Sequence, residues 1–256
     1  MADHFDYRVL GQGIVITTLA YWIAVVFYSL VPILFPAHAA QYKLQPAAKP
    51  MPARKHIRQI LLTLFNQVAV AFVFVAIGGE RLYFFGGRLS LHFPTWPLIL
   101  LHFLLYAITF EVMFYAIHRL LHTPLLYHWV HAFHHRFRAP LPYSGACVHP
   151  VEFVLAYIVP NLTAAALFNF SFPEYLLFLS LEYIHNVHDH CGYHYPWDPF
   201  AYLFSQNSQV HDEHHRLYRV NYSGAFTMAL DHLFGTYKAP PEHVPMDLPN
   251  APPATG

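Results

Sequence analysis

The chain has 256 residues, 56% hydrophobic and 18% aromatic but only 11% charged, with 14 basic and 14 acidic residues in formal balance. Soluble domains carry about 25% charged residues, so a fully water-exposed surface is excluded, a membrane protein is expected, and no nucleic acid partner is indicated. Two cysteines, Cys147 and Cys191, exclude a secreted disulfide framework, and no basic stretch precedes the first apolar run, which predicts an uncleaved N-terminus.

Ile14 to Phe35 is a run of 22 residues without a charge, and Ile60 to Ile77 adds 18 more. Each approaches the roughly 20 residues that cross about 30 Å of hydrocarbon as a helix. A third span runs from Trp96 to Ile117, broken only by Glu111. Val151 to Phe168 and Pro173 to Val187 are shorter apolar runs joined by "NFSFP", which predicts a helical hairpin. The fold class expected is all-α: a polytopic membrane helical bundle of about four to five membrane helices with a histidine-rich cap. Residues 1–95 read as N-terminal spans and their connection, 96–238 as the catalytic part, and 239–256 as a disordered, proline-rich tail.

If the spans alternate, eleven Lys and Arg fall on one side, and only Arg8, Arg81 and Arg88 on the other. The positive-inside rule then places every histidine-rich segment in the cytosol.

Of 21 histidines, 14 lie between His118 and His215. His118 and His122 are four apart on the continuation of the third span, so both project from one helical face and suit one ion. His131, His134 and His135 follow as HxxHH, and His211, His214 and His215 repeat that spacing; both triplets are expected on one helical face. Between them, His190 and His194 in "HDHCGYH" restore the first spacing. Ten imidazoles exceed what one or two tetrahedral zinc sites use, whereas two octahedral metals with about five nitrogens each leave open positions, which points to a non-haem di-iron centre. Neutral ligands leave the metal charge uncompensated, and Glu111, Glu152, Asp189, Asp212 and Glu213 are candidates to balance it. His188 competes with His190 or His194 as a ligand because it shares a helical face with His185. His128 and His149 read as supporting residues, Cys191 as a small neighbour, and isolated histidines such as His38 and His102 as interfacial side chains.

With these boxes, the sequence resembles the fatty acid hydroxylase superfamily of membrane di-iron enzymes, and within it is most similar to the 4-methylsterol oxidases of the sterol desaturase family. The resemblance rests on "QYKLQP", "HRLLHTPLLYHWVHAFHHRFRAP", "HPVEF", "HCGYHYPW", "HDEHHRLYRVNYSGAF" and "DHLFGTY". It implies that His118, His122, His131, His134, His135, His190, His194, His211, His214 and His215 bind metal. It also implies two iron ions, O2 as co-substrate, and electrons from NAD(P)H through cytochrome b5 or a similar reductase. The substrate implied is a membrane lipid or sterol, the location the endoplasmic reticulum membrane, and homo- or hetero-oligomers with lipid biosynthetic enzymes are a further implied partner. The chain departs from the methylsterol oxidases where Cys191 replaces a serine and His194 an acid, and the histidine is closer to hydroxylases of acyl chains.

The activity expected is monooxygenation of a C–H bond, the C4 methyl of a sterol being one candidate. Lipid desaturation and acyl-chain hydroxylation use the same centre. A metal-binding pseudoenzyme or scaffold is the non-enzymatic alternative, and transport is disfavoured by spans almost free of polar residues.

Overall fold

The computed structural model describes residues 7–48, 51–73, 76–77 and 90–241. Among them the long helices are α1 (Tyr7–Leu34), α3 (Ala53–Val73), α4 (Trp96–Leu121), α6 (Pro150–Phe168) and α7 (Phe172–Asp189). Short helices complete the set: α2 (Pro36–Gln41), α5 (Pro124–Trp129), α8 (Phe200–Leu203), α9 (Ser208–Leu217) and α10 (Ala229–Leu233). No strand occurs among the described residues; one isolated bridge joins Lys43 to Tyr193.

Among the described residues, four helices are long and apolar enough to cross a membrane: Arg8–Leu34, Ala53–Val73, Trp96–Leu121 and Pro150–Phe168. Ile23, Ile33 and Leu100 stand exposed on them, as lipid-facing side chains do. The second expected span, Ile60 to Ile77, lies partly outside the described residues, as do Lys49, Arg81, Arg88 and most of the expected tail. The expected hairpin is present as α6 and α7. Asn169 ends α6 in the left-handed region (φ 51°), and Ser171 and Glu174 form a reciprocal capping box that starts α7. α7 carries Glu174, Glu182 and Asp189 and is not among the four candidate spans.

α1 and α7 run side by side. Gly13 makes this possible, since a Cβ there would stand 2.7 Å from the ring of Phe172, and farther along Tyr21 packs edge-on against Tyr183 at 5.8 Å. α4 lies along α6, where Tyr106 donates to Asn161 Oδ1 at 2.9 Å. π-helical turns interrupt α3 at Asn66–Val70 and α6 at Phe153–Ile158. Such turns re-aim side chains and concentrate at functional sites. The first lets Asn66 donate to the carbonyl of Val148 at 2.9 Å; the second carries Ala156 and Tyr157 toward an internal cavity.

The chain reverses between consecutive long helices, so the ends of α1, α4 and α7 and the starts of α3 and α6 share one pole. The irregular segment 137–149 is largely buried there, Arg138 excepted, and must satisfy its backbone internally. Tyr21 donates to the carbonyl of Tyr143 at 2.8 Å, and Tyr157 to that of Gly145 at 2.7 Å. "QYKLQP" is tied to the third histidine box by backbone bonds from Leu44 to Gly192 (3.1 Å) and from His194 to Tyr42 (2.9 Å).

Candidate metal centre

α4 continues past the apolar run, so its last turn brings His118 into the bundle, with His122 as the capping residue. The segment His131–Arg136 is a 3-10 helix, not the α-helix that its spacing predicts. At three residues per turn, positions i and i+3 eclipse, yet the three histidines diverge. His131 and His135 join His118, His122 and His214 in one group. His134 joins His190, His211 and His215 in another. α9 splits its own triplet in the same way: His211 and His215, one α-turn apart, enter the second group, and His214 the first. The expected shared α-helical face is therefore corrected for His131, His134 and His135 and holds for His211, His214 and His215, and each triplet divides between the two groups.

Within each group the ligand atoms lie within 4.8 Å of one another. In the five-histidine group, His131 Nε2 stands 3.1 Å from that of His118, 3.0 Å from His122 and 3.0 Å from His135, and His135 stands 3.2 Å from His214. In the four-histidine group, His190 Nε2 is 2.9 Å from His211 and 3.3 Å from His215.

The outward nitrogens fix what these contacts mean. His118 donates from Nδ1 to the carbonyl of Tyr222 (2.7 Å), His214 to Val220 (2.7 Å) and His190 to Asn186 (2.8 Å), while His131 Nδ1 meets Glu152 Oε1 at 2.7 Å. A neutral imidazole has one N–H, so a ring that donates from Nδ1 presents a bare lone pair at Nε2. His118 and His214 thus both turn bare Nε2 lone pairs into the five-histidine group, where the ligand atoms lie within 4.8 Å of one another, an arrangement that repels unless a cation sits there. The spacing fits as well. At a metal–nitrogen distance of about 2.1 Å, ligands at right angles are about 3.0 Å apart and tetrahedral ligands about 3.4 Å apart, so the contacts favour octahedral angles.

Outside the spans, burial and then the charge of neighbouring histidines push His122, His131, His135, His211 and His215 well below the ordinary range, and burial lowers His190 to about 4. All would be neutral near pH 7, the form that binds metal. Burial, aided by Glu213, raises Asp212 to about 7 against the hydrogen bond from Gln45.

His194 joins neither group; its Nδ1 lies 3.4 Å from the hydroxyl of Ser208. His188 is also outside, held by Asp198 at 2.8 Å, with Tyr28 donating to the same oxygen. Burial opposes ionisation of Asp198, but the bonds from His188 and Tyr28 prevail and hold its carboxyl below the usual range. His128 is exposed, and His149 caps α6 by accepting from the Val151 N–H at 3.2 Å. Asp189 lies 3.6 Å from His185, and Asp212 accepts from Gln45 at 3.0 Å.

Residues 103–236 match the family model described as fatty acid hydroxylase. This chain belongs to that family. Among its relatives is a very-long-chain aldehyde decarbonylase of Oryza sativa, 34% identical over 207 residues, which covers 78% of this chain and 75% of that protein. A methylsterol monooxygenase of Arabidopsis thaliana is 35% identical over 175 residues, 60% of this chain and 62% of its own. A sphingolipid C4-hydroxylase of Schizosaccharomyces pombe is 31% identical over 164 residues, 60% and 56% respectively. No solved structure matches. The fatty acid hydroxylase family places the chain among membrane oxidoreductases that act on lipids.

Two supports, Asp231 and Gln206, escaped sequence reasoning, and a third, Glu111, has another role than expected. Asp231 is fully buried and accepts from the Tyr222 and Ser223 N–H groups at 2.8 and 2.7 Å, and from the Thr236 hydroxyl at 2.6 Å. It fixes the loop whose carbonyl orients His118. Glu111, expected as a charge balancer, accepts from the Phe226 and Thr227 N–H groups at 2.9 and 3.0 Å and anchors the loop's other end. Gln206 bridges Asp189 and His211, its amide 3.2 Å from His211 Nδ1. The "DHLFGTY" run that contains Asp231 was legible as a motif, but a loop clamp has no spacing rule to reveal it.

A narrow cavity reaches both groups. His118 and His131 line it from one and His134, His190 and His211 from the other, while Phe114, Ala156 and Gly224 form an apolar wall toward the spans.

Proposed function

We propose that this fatty acid hydroxylase family member is a membrane-bound oxygenase that inserts one oxygen atom of O2 into a C–H bond of an apolar lipid. In this reading His118, His122, His131, His135 and His214 hold one non-haem iron, and His134, His190, His211 and His215 hold the second. The observation that carries it is the convergence of bare Nε2 lone pairs, as at His118 and His214, in a group whose separations a six-coordinate ion explains. When bound, the metals supply activation of dioxygen and attack on an unactivated C–H bond.

The chain's own residues do the rest. Glu152, Tyr222, Val220 and Asn186 fix the rings by their outward nitrogens. Phe114, whose ring packs 5.3 Å from that of His118, gives the reacting carbon an apolar surface beside the ligands and excludes water. The narrow cavity favours a slender methyl or methylene group. The C4 methyl of a sterol is the candidate that the resemblance and the methylsterol monooxygenase relative support. We assign catalysis to 96–238, with the histidine groups facing the cytosol in the endoplasmic reticulum membrane and electrons arriving from a separate carrier.

The test is expression in membranes with a reductant under labelled dioxygen, following label into sterols, acyl lipids and other apolar lipids by mass spectrometry, with His134→Ala as control. Label in a sterol 4-methyl group, absent in the variant, is the expected result. Label in another lipid retains the oxygenase and removes the sterol assignment. An oxidised product without label replaces hydroxylation by desaturation.

A further inference from the structure

The balanced composition conceals a segregated surface. All nine Asp and Glu among the described residues are buried, whereas ten of the eleven described Lys and Arg are exposed. Nine of those ten stand at the pole that carries the histidine groups, Arg8 being the exception. The exposed charges there have one sign among the described residues; the buried Glu213 carboxylate pairs with Arg216 at 2.7 Å and Lys238 at 3.7 Å, and the remaining cations keep the field above that pole positive at neutral pH.

Arg54, Lys55 and Arg58 sit at the start of α3 and Arg119 at the end of α4, where helices leave the hydrocarbon and lipid headgroups lie. Arg136, Arg138, Arg216 and Arg219 are different. They extend from the 3-10 segment and from the end of α9, beyond the spans: Arg136 lies over the Phe133 ring at 4.7 Å, and Arg216 and Arg219 flank Tyr218 in the chain. Arg138 lies over the Tyr218 ring at 5.4 Å and donates to its hydroxyl.

Tyr218 occupies the left-handed region (φ 68°), a conformation that costs a non-glycine residue about 1–2 kcal/mol. A helix C-terminus with this geometry usually takes glycine. Here the side chain gives the tyrosine its place. Its ring meets His135 edge-on at 5.0 Å and Tyr127 at 6.2 Å, so one half-buried aromatic ring separates the cationic face from a histidine of the five-membered group.

We infer that the cationic face of Arg136, Arg138, Arg216 and Arg219 beside Tyr218 docks an acidic, soluble or membrane-tethered electron-carrier protein. The inference rests on the oxygenase reading, because that reaction needs electrons from outside: lipid, O2, two electrons and two protons give hydroxylated lipid and water. The carrier is oxidised by one electron per encounter, two encounters complete the balance, and solvent supplies the protons. Charge complementarity of this kind governs encounter rate and salt dependence more than contact area does.

The full chain, purified with iron and held in a neutral lipid nanodisc, tests this with two probes of opposite charge: the acidic haem domain of cytochrome b5 and the basic cytochrome c. The acidic probe is expected to bind, to weaken steeply as salt is raised, and to bind at least tenfold more weakly to the Arg136→Glu/Arg219→Glu double variant. Iron content and thermal unfolding of that variant should match the parent, which separates lost docking from lost folding. Binding of both probes, of neither, or of the acidic probe with unchanged affinity in the double variant overturns the inference. So does a double variant that keeps the probe but loses attachment to anionic phosphatidylserine vesicles, which would assign the face to headgroups. Two bound irons without docking overturn the docking face alone; docking by a chain that retains no metal supports the face and removes the oxygenase reading.

Discussion

Asp231→Asn isolates the loop that orients His118, because the change removes a charge and keeps the shape. The carboxylate takes three hydrogen bonds, from the Tyr222 and Ser223 N–H groups and the Thr236 hydroxyl, at complete burial. With the amide oxygen kept toward Tyr222 and Thr236, the new NH2 faces the Ser223 N–H, donor against donor. Loss of a hydrogen bond to a charged group costs about 1.5–3 kcal/mol, and a buried N–H left unsatisfied about 1–3 kcal/mol more. A total near 3–5 kcal/mol implies a Tm lower by at least about 6 °C for a chain of this size. The shift also moves the Tyr222 carbonyl, which His118 Nδ1 reaches at 2.7 Å, and disturbance of such outer partners weakens metal binding about 10–100-fold. Metal content after dialysis against a graded chelator, read beside the thermal transition in detergent, measures both effects. An Asp231→Asn chain that melts within about 1 °C of the parent and keeps its metal would refute the clamp.

Glu152→Gln removes the charge beside His131 and should lower affinity at the five-histidine site about 10–100-fold, so that under limiting chelator elemental analysis finds the metal content halved. His194→Ala should leave metal content at the parental value while His190→Ala reduces it, since only His190 lies in a group; equal loss in both would bring His194 into the site. Gly224→Ala puts a Cβ 2.5 Å from the Phe114 ring, which must turn into the cavity, so lipid turnover should fall with metal content retained. In the metal-free protein the buried histidines are depressed relative to the unfolded chain, so stability is complete above about pH 6.5 and falls as the pH is lowered toward the folded value, about 4 for His190. For that residue alone the span corresponds to about 3 kcal/mol, and thermal unfolding between pH 7.5 and 5 in a non-ionic detergent should show the decline.

The membrane helices were legible because apolar length is a one-dimensional signal. Trp96–Leu121 and Pro150–Phe168 lie within a few residues of their expected bounds. The histidine boxes were legible for the same reason, and nine of ten expected ligands converge. Their division was not. Helical periodicity treats His131, His134 and His135 as neighbours on one face, but the tertiary approach of α7 and α9 from the other side draws His134 toward His190 and His215. His194 stands outside both groups for a related reason: α7 ends at Asp189 and His190 is its cap, so the spacing from His190 to His194 spans a turn rather than a helical face. Gly192, in the left-handed region (φ 78°), makes that turn. The clamps Asp231 and Glu111 act through loop backbone, for which sequence offers no periodicity.

The buried acids give the last argument, because it concerns the whole interior. A carboxylate away from water is costly unless charge or hydrogen bonds compensate it. Glu111, Glu152 and Asp189 each keep one buried oxygen that accepts no hydrogen bond from the protein, and Glu152 touches His131 directly. Nearby, nine neutral imidazoles bring no positive charge of their own. Two divalent ions would close this imbalance, with Glu152 directly behind His131, Asp189 reaching His211 through Gln206 and Glu111 farther off on the loop. Metal should therefore stabilise the fold as well as equip it: at free metal about 1,000-fold above Kd, one site adds about 4 kcal/mol. Chelation is expected to lower the melting temperature in two separable steps, and Glu152→Gln should shrink the loss tied to the five-histidine site. A chelated chain that melts with the loaded one would refute the link between the buried acids and the metals.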